Sequence, residues 1–280
     1  MSSIAYLSNA IEPFIDIPFN SWLTLILSFA YVCAIRSPRL LLLAVLGAST
    51  TIALFDKTST AVQMIKVVAL LPLGLGSVLA YQTMSRSFKI RHLSVFTAYI
   101  NFAVYGNIVM MLGTPTGGTF RGLCSKVACL ALFIWVVQQG YRVGFKTVRL
   151  HDNLFVFTAV SKSWIFAHAI YRFILLTLPC FGSGRRHRLM EFYSLGLTFA
   201  LSLATGLPFE HCFGMADTLT APAAAGWSAI ATTFDLIPRD TRKNEDLVAK
   251  TLGAGGDLYL SGVLLAVAAF ACYKIGTGRR

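Results

Sequence analysis

Charge is scarce in this sequence. Asp, Glu, Lys and Arg make up 13% of its 280 residues and hydrophobic residues 56%, too little charge to surround one core as a soluble domain of this length does. Metal-ligand and nucleophile motifs are absent as well. There is no HExxH, no GxSxG, no histidine-box spacing and no paired Asp-rich motif, which argues against a zinc protease, a serine hydrolase, a di-iron desaturase and a metal-dependent prenyltransferase. No metal and no cofactor is expected. The cysteines Cys33, Cys124, Cys129, Cys180, Cys212 and Cys272 form no CxxC and lie within or beside apolar stretches, so free thiols are expected. Residues 1–18 carry Glu12 and Asp16 but no Lys or Arg, so a cleavable signal peptide is not expected and the first span serves as its own targeting signal. No internal repeat, low-complexity tract or soluble domain stands out.

What is present is a succession of long uncharged stretches. A bilayer crossing takes about 20 apolar residues, and lipid offers the backbone no hydrogen bonds, so spanning segments must be helices or closed barrel strands. Barrel strands alternate in polarity, and runs such as Leu40 to Val45 do not. The expected fold is therefore all-α, a polytopic transmembrane helix bundle of about seven or eight spans forming a single integral membrane domain over residues 1–280. Spans are expected near 17–35, 40–55, 61–81, 93–112, 127–141, 154–181, 192–208, 218–234 and 258–273. The segment 218–234, rich in Ala, Thr and Gly, either crosses or re-enters, and 154–181 is interrupted by Lys162 and Arg172.

Lys and Arg outnumber Asp and Glu by 24 to 12. In a soluble protein that excess would suggest nucleic acid; here it falls in short clusters between apolar runs and reads as topology, so the expected partners are the lipid bilayer and an apolar small molecule, with no nucleic acid. Alternate loops carry Arg36 and Arg39, then Arg86, Lys89 and Arg91, then Arg142, Lys146 and Arg149, whereas the intervening ones hold Lys57, then Arg121 and Lys126. Positive loops stay cytosolic, which places the N-terminus on the other side. Arg185, Arg186 and Arg188 disagree with that assignment.

Ionisable side chains inside apolar stretches are costly and mark candidate sites. Lys66 lies near a span end, where its stem can snorkel to the headgroups. His168 and Arg172 stand one turn apart on one face, to bind an anionic group or to pair with Glu191. Glu191 opens its span, where a helix N-terminus alone would stabilise it. Glu210, His211 and Asp217 follow Pro208 between two apolar segments, as an interfacial loop or as irregular backbone lining a cavity; burial there would leave a protonated acid able to act on an apolar substrate. Asn101, Asn107, Gln138 and Gln139 are expected to hydrogen-bond between helices, and Gly113 to Gly122 to form a turn. Phe, Tyr and Trp contribute 12% of residues, a composition that permits stabilisation of cations by ring faces.

The small size, the near absence of extramembrane domains and the carboxylates at late span ends resemble the fungal membrane-bound terpene cyclases of meroterpenoid pathways. The likeness covers architecture along the whole chain. It implies an endoplasmic reticulum membrane enzyme of secondary metabolism in which a carboxylic acid, without metal, protonates an epoxide or alkene of a prenylated substrate. The better-known branch carries an Asn-Phe-Ala-Trp-Glu segment, and the nearest string here, Asn101-Phe102-Ala103-Val104-Tyr105, lacks the acid. Candidate catalytic residues are then Glu191, Glu210 and Asp217 as acid, with His211 or His168 as relay. The alternative is a small transporter or channel with Lys66, Lys162 and Arg172 along an anion path.

Overall fold

A computed structural model describes residues 15–55, 75–76, 81, 86–151, 154–181, 184–237 and 246–278. The expected span 61–81, Lys57 and Lys66 lie mostly or wholly outside these residues. The described elements are α1 (Ile17–Arg36), α2 (Pro38–Phe55), α3 (Arg86–Leu112), α4 (Phe120–Arg142), β1 (Val148–His151), β2 (Leu154–Phe157), α5 (Lys162–Leu175), a 3-10 turn (Pro179–Phe181), the helical turn α6 (Gly184–His187), α7 (Met190–Thr205), α8 (Phe209–Thr233) and α9 (Leu247–Thr277).

Among the described residues five helices are long and apolar enough to cross a membrane: Ile17–Arg36, Pro38–Phe55, His92–Leu112, Phe120–Arg142 and Val248–Thr277. They leave large side chains such as Leu25, Phe29, Val32, Phe102, Val109, Leu258 and Tyr259 exposed on their outer faces. Apolar surface on that scale has lipid as its natural solvent, and the chain reads as a membrane-embedded, mostly helical protein.

Two expectations about the later segments are corrected. Residues 154–181 do not form one span: β1 and β2 pair antiparallel, with Val148 opposite Phe157 and His151 opposite Leu154, and α5 begins only at Lys162. The alternation in Val148-Arg149-Leu150-His151 and the aromatic, β-branched Phe155-Val156-Phe157 favour strands, and Asp152-Asn153 between them is a turn sequence. The α5 helix, 14 residues long, extends about 21 Å, short of a bilayer core. Glu210, His211 and Asp217 are likewise not in a loop. They belong to α8, which runs unbroken from Phe209 for 25 residues. Pro208 stands just ahead of the first turn, where its missing amide costs nothing.

The packing of the helices brings chosen ends together. Asp16, the α1 cap, pairs with Arg186 at 2.8 Å, Arg121 at the start of α4 reaches Asp246 at the start of α9, and Arg172 at the end of α5 reaches Glu191 at the start of α7. Elsewhere Gln138 donates to the Ile275 carbonyl at 3.2 Å and Gln139 holds Ser161, the α5 cap, so both glutamines join elements as expected. Asn101, expected to bond another helix, instead donates to the Phe145 carbonyl at 2.9 Å, in the connection after α4.

The turn expected at Gly113 to Gly122 is shorter than its glycines suggest. It closes at Thr119, which caps α4 by accepting from the Gly122 amide at 3.0 Å, so Gly122 itself is already helical. A Cβ on Gly122 would overlap the Thr116 carbonyl oxygen, a backbone atom that cannot swing aside. Gly122→Ala is expected to destabilise by about 3 kcal/mol, as overpacking against fixed backbone does, and a thermal midpoint in detergent equal to wild type would contradict the contact.

Candidate functional site

The site is built on one face of α5. Trp164, His168, Tyr171, Arg172 and Leu175 repeat at helical spacing and all are buried. Ser161 starts the helix by accepting from the Trp164 amide at 3.3 Å, and the indole of Trp164 donates to the Leu132 carbonyl at 3.0 Å, tying this face to α4. Arg172 occupies the last turn, where a helix C-terminus favours a cation, and Glu191 the first turn of α7, where an N-terminus favours a carboxylate.

Arg172 is the hub. Its Nη1 donates to Asp217 Oδ1 at 2.8 Å, its Nε lies 2.9 Å from Glu191 Oε1, and Nη2 approaches the Met190 sulfur at 3.8 Å. Ser194, one turn beyond Glu191 on the same face of α7 and completely buried, donates to the same Asp217 oxygen at 3.3 Å. Arg172 and Glu191 are each 3% exposed, so their attraction is weakly screened, whereas the Asp217 side chain is 23% exposed at the edge of the group.

The two carboxylates are not equivalent. Asp217 accepts two hydrogen bonds, whereas the short Arg172–Glu191 contact lacks hydrogen-bond alignment, so neither Glu191 oxygen has a hydrogen-bond partner among the described residues. Beside them His168 is buried with both ring nitrogens unpartnered among the described residues. Buried polar atoms are nearly always satisfied, so several orphans around one guanidinium mark a place where something other than packing is served.

Rings enclose the histidine. The His168 ring stacks on Trp164 at 4.6 Å and 13°, and Phe213 meets it edge-on at 6.3 Å and 84°. Phe213 and Asp217 lie one turn apart on α8, so the aromatic wall and the carboxylate come from one stripe of one helix.

Among the residues expected from sequence, Glu191, Asp217 and His168 meet around Arg172. Glu210 and His211 do not join them. They sit in the first turn of α8, about 10 Å along the axis from Asp217, and Glu210 instead faces the exposed Lys162 at 3.7 Å. Lys162 is 63% exposed, whereas Arg172 is buried and engaged by two acids. Ser194 and Phe213 were missed by sequence reasoning. Their positions three residues after Glu191 and four before Asp217 are the signal that finds them.

The same stripe of α7 leads elsewhere. Glu191, Ser194, Thr198, Leu201 and Thr205 follow helical spacing, and the last two border a narrow apolar crevice of about 10 Å³ that also touches Phe155, Leu207, Cys212 and Met215. That space holds about one water molecule, far below the roughly 300 Å³ of ordinary small-molecule sites. Among the described residues no group of three or more His, Cys, Asp or Glu is arranged to hold a metal ion. Comparison of the chain with protein-family models, with curated proteins and with solved structures finds no match.

Proposed function

We propose that this chain is a membrane-embedded enzyme that initiates reaction of an isoprenoid or prenylated, lipid-like substrate by protonation, a metal-independent terpene cyclase, with Glu191 as the acid. The observation that carries the reading is the charge count at Arg172. One buried guanidinium faces two carboxylates, the buried Glu191 and the partly exposed Asp217, so one negative charge is left over. A proton removes it with the least rearrangement. Asp217 is held as carboxylate by two hydrogen bonds, and Glu191 has none to lose, so the proton belongs on Glu191. A carboxylic acid without a protein acceptor is free to donate to an alkene or epoxide. Arg172 and Asp217 position it; His168 stands ready to return the proton, and the faces of Trp164, Tyr171 and Phe213 suit developing positive charge.

In this proposal the chain makes about seven or eight crossings of the endoplasmic reticulum membrane, with the N-terminus non-cytosolic. Arg36, Arg39, Arg142, Lys146 and Arg149 are exposed, whereas Arg186 and Arg188, from the cluster that conflicts in the sequence, are buried and Arg186 is ion-paired to Asp16. Charges neutralised inside the protein carry no weight in orienting it, so the exposed basic residues face the cytosol.

The test is to incubate microsomes containing the protein with a panel of prenylated phenols and their epoxides and to look for cyclised isomers. Isomers formed by wild type and abolished in Glu191→Gln support the reading; a product that survives neutralisation of Glu191, Glu210 and Asp217 together ends it. One observation favours the transporter alternative, the break inside α9 at Gly253, because interrupted helices are a device of transporters. In that case no isomer forms and the substrate instead crosses vesicles containing the protein.

A further inference from the structure

A second buried arginine lies outside the site just described. Arg121, in the first turn of α4, is fully buried, and its Nη2 donates to both oxygens of Asp246 at 3.0 and 3.1 Å and to the Thr177 carbonyl at 3.4 Å. Its Nη1 lies 3.2 Å from Asp257 Oδ1. The two acids sit at either side of a break in α9, Asp246 as its cap and Asp257 within it.

The break is at Gly253. Its φ of 62° and ψ of −162° are outside the helical region and are reached in practice only by glycine. Residues 247–252 and 254–277 are therefore two helical pieces, and the turn between them is tight: a Cβ on Gly256 would overlap the Leu252 Cβ. Val248 anchors the first piece, buried against the bundle. Residues 249–255 are exposed, and an added Cβ at Gly253 or Gly255 meets nothing within 4 Å. Asp246 caps this piece by accepting from the Val248 and Ala249 amides at 3.1 Å, so the carboxylate that starts the segment is also the one Arg121 grips.

We propose that the first piece of α9 is a hinged segment that swings about Gly253 and is latched to the end of the bundle by Arg121. The guanidinium spans the hinge, one nitrogen on Asp246 ahead of it and the other beside Asp257 behind it, so the closed position is held by charge and hydrogen bonding while the backbone at the hinge is free to turn. Release of Asp246 leaves Arg121 still countered by Asp257, which keeps the buried cation from being stranded when the segment opens. The latch also touches the catalytic elements, since Thr177 lies just past the end of α5, the helix that carries Arg172.

Hydrogen–deuterium exchange of the full chain in nanodiscs, followed peptide by peptide, tests this. Asp246→Asn keeps a good helix cap but loses the ion pair, so amides 248–256 are expected to exchange about tenfold faster, the shift that about 1.4 kcal/mol produces, while 258–277 and α4 stay at wild-type rates. Gly253→Ala places a Cβ on a backbone conformation that only glycine adopts readily, so the closed position is strained and the same amides are expected to exchange faster here too. Acceleration confined to amides 248–256 in both variants supports the latch. Unchanged rates in either variant, or acceleration spread over α4 and the rest of α9, overturns it.

Discussion

Glu191→Gln is expected to lower turnover of a prenylated substrate by about 10²- to 10⁴-fold, the usual contribution of a positioned acid, with the helices left in place. Glutamine matches the shape of the protonated acid and its zero charge, so Arg172 keeps Asp217 as its sole counter-ion and the charge of the site is unaltered. Only the transferable proton disappears. Asp217→Asn reaches the same loss by another route. With one carboxylate left, Arg172 draws the charge onto Glu191, and the acid becomes a carboxylate without having been mutated. Both single variants should therefore be folded and inactive. The double variant should be worse than either, because it leaves a buried guanidinium unpaired, at a cost of about 3–5 kcal/mol. Product analysis by mass spectrometry alongside a thermal midpoint in detergent separates the cases; an active Glu191→Gln enzyme rules out this acid.

Removing the hub has the largest effect on the fold. Arg172→Met conserves most of the side-chain volume but leaves the Asp217 carboxylate without its counter-ion beside the buried Glu191, and breaking a buried ion pair costs about 3–5 kcal/mol. Against a total stability of about 5–15 kcal/mol, that is enough to drain the folded population. The loss should be electrostatic, which a combined variant can show. Arg172→Met with Glu191→Gln and Asp217→Asn strands no charge and should recover most of the wild-type midpoint. A midpoint for Arg172→Met alone that equals wild type would mean that the acids are already neutral or hydrated, and the charge count on which the proposed chemistry depends would fail.

Much of the scaffold is legible without coordinates, for identifiable reasons. Lipid forces every backbone amide in a span to bond within its own helix, so an uncharged stretch such as Leu40 to Phe55 declares its structure locally. The α1, α2, α4 and α9 helices follow from that, and so do the joining roles of Gln138 and Gln139, whereas Asn101, expected to bond another helix, bonds Phe145 and Thr147 in the connection after α4. The chain from residue 148 to the start of the last helix is harder to read because its segments are short or polar. A strand pair within residues 148–157 and a 14-residue helix have together the length of one span and a similar apolar content, and hydropathy alone cannot divide them. Pro208 and Gly214 look like loop residues around Glu210 and Asp217. In the folded chain Pro208 merely precedes a helix, and Gly214 is inside one because a Cβ there would come within 2.6 Å of the Phe157 Cβ.

By itself, then, the sequence determined the solvent, the helical class and the short roster of side chains too costly to be there by accident. Which of them act together was decided by the tertiary structure alone. Glu191 and Asp217 meet on Arg172, Glu210 and His211 fall away along the helix axis, and Arg121 reaches across a break to Asp246 and Asp257. The reason is distance. Periodicity governs neighbours three or four residues apart, while these pairs join residues separated by many turns of chain, and only the packing of whole helices sets that approach.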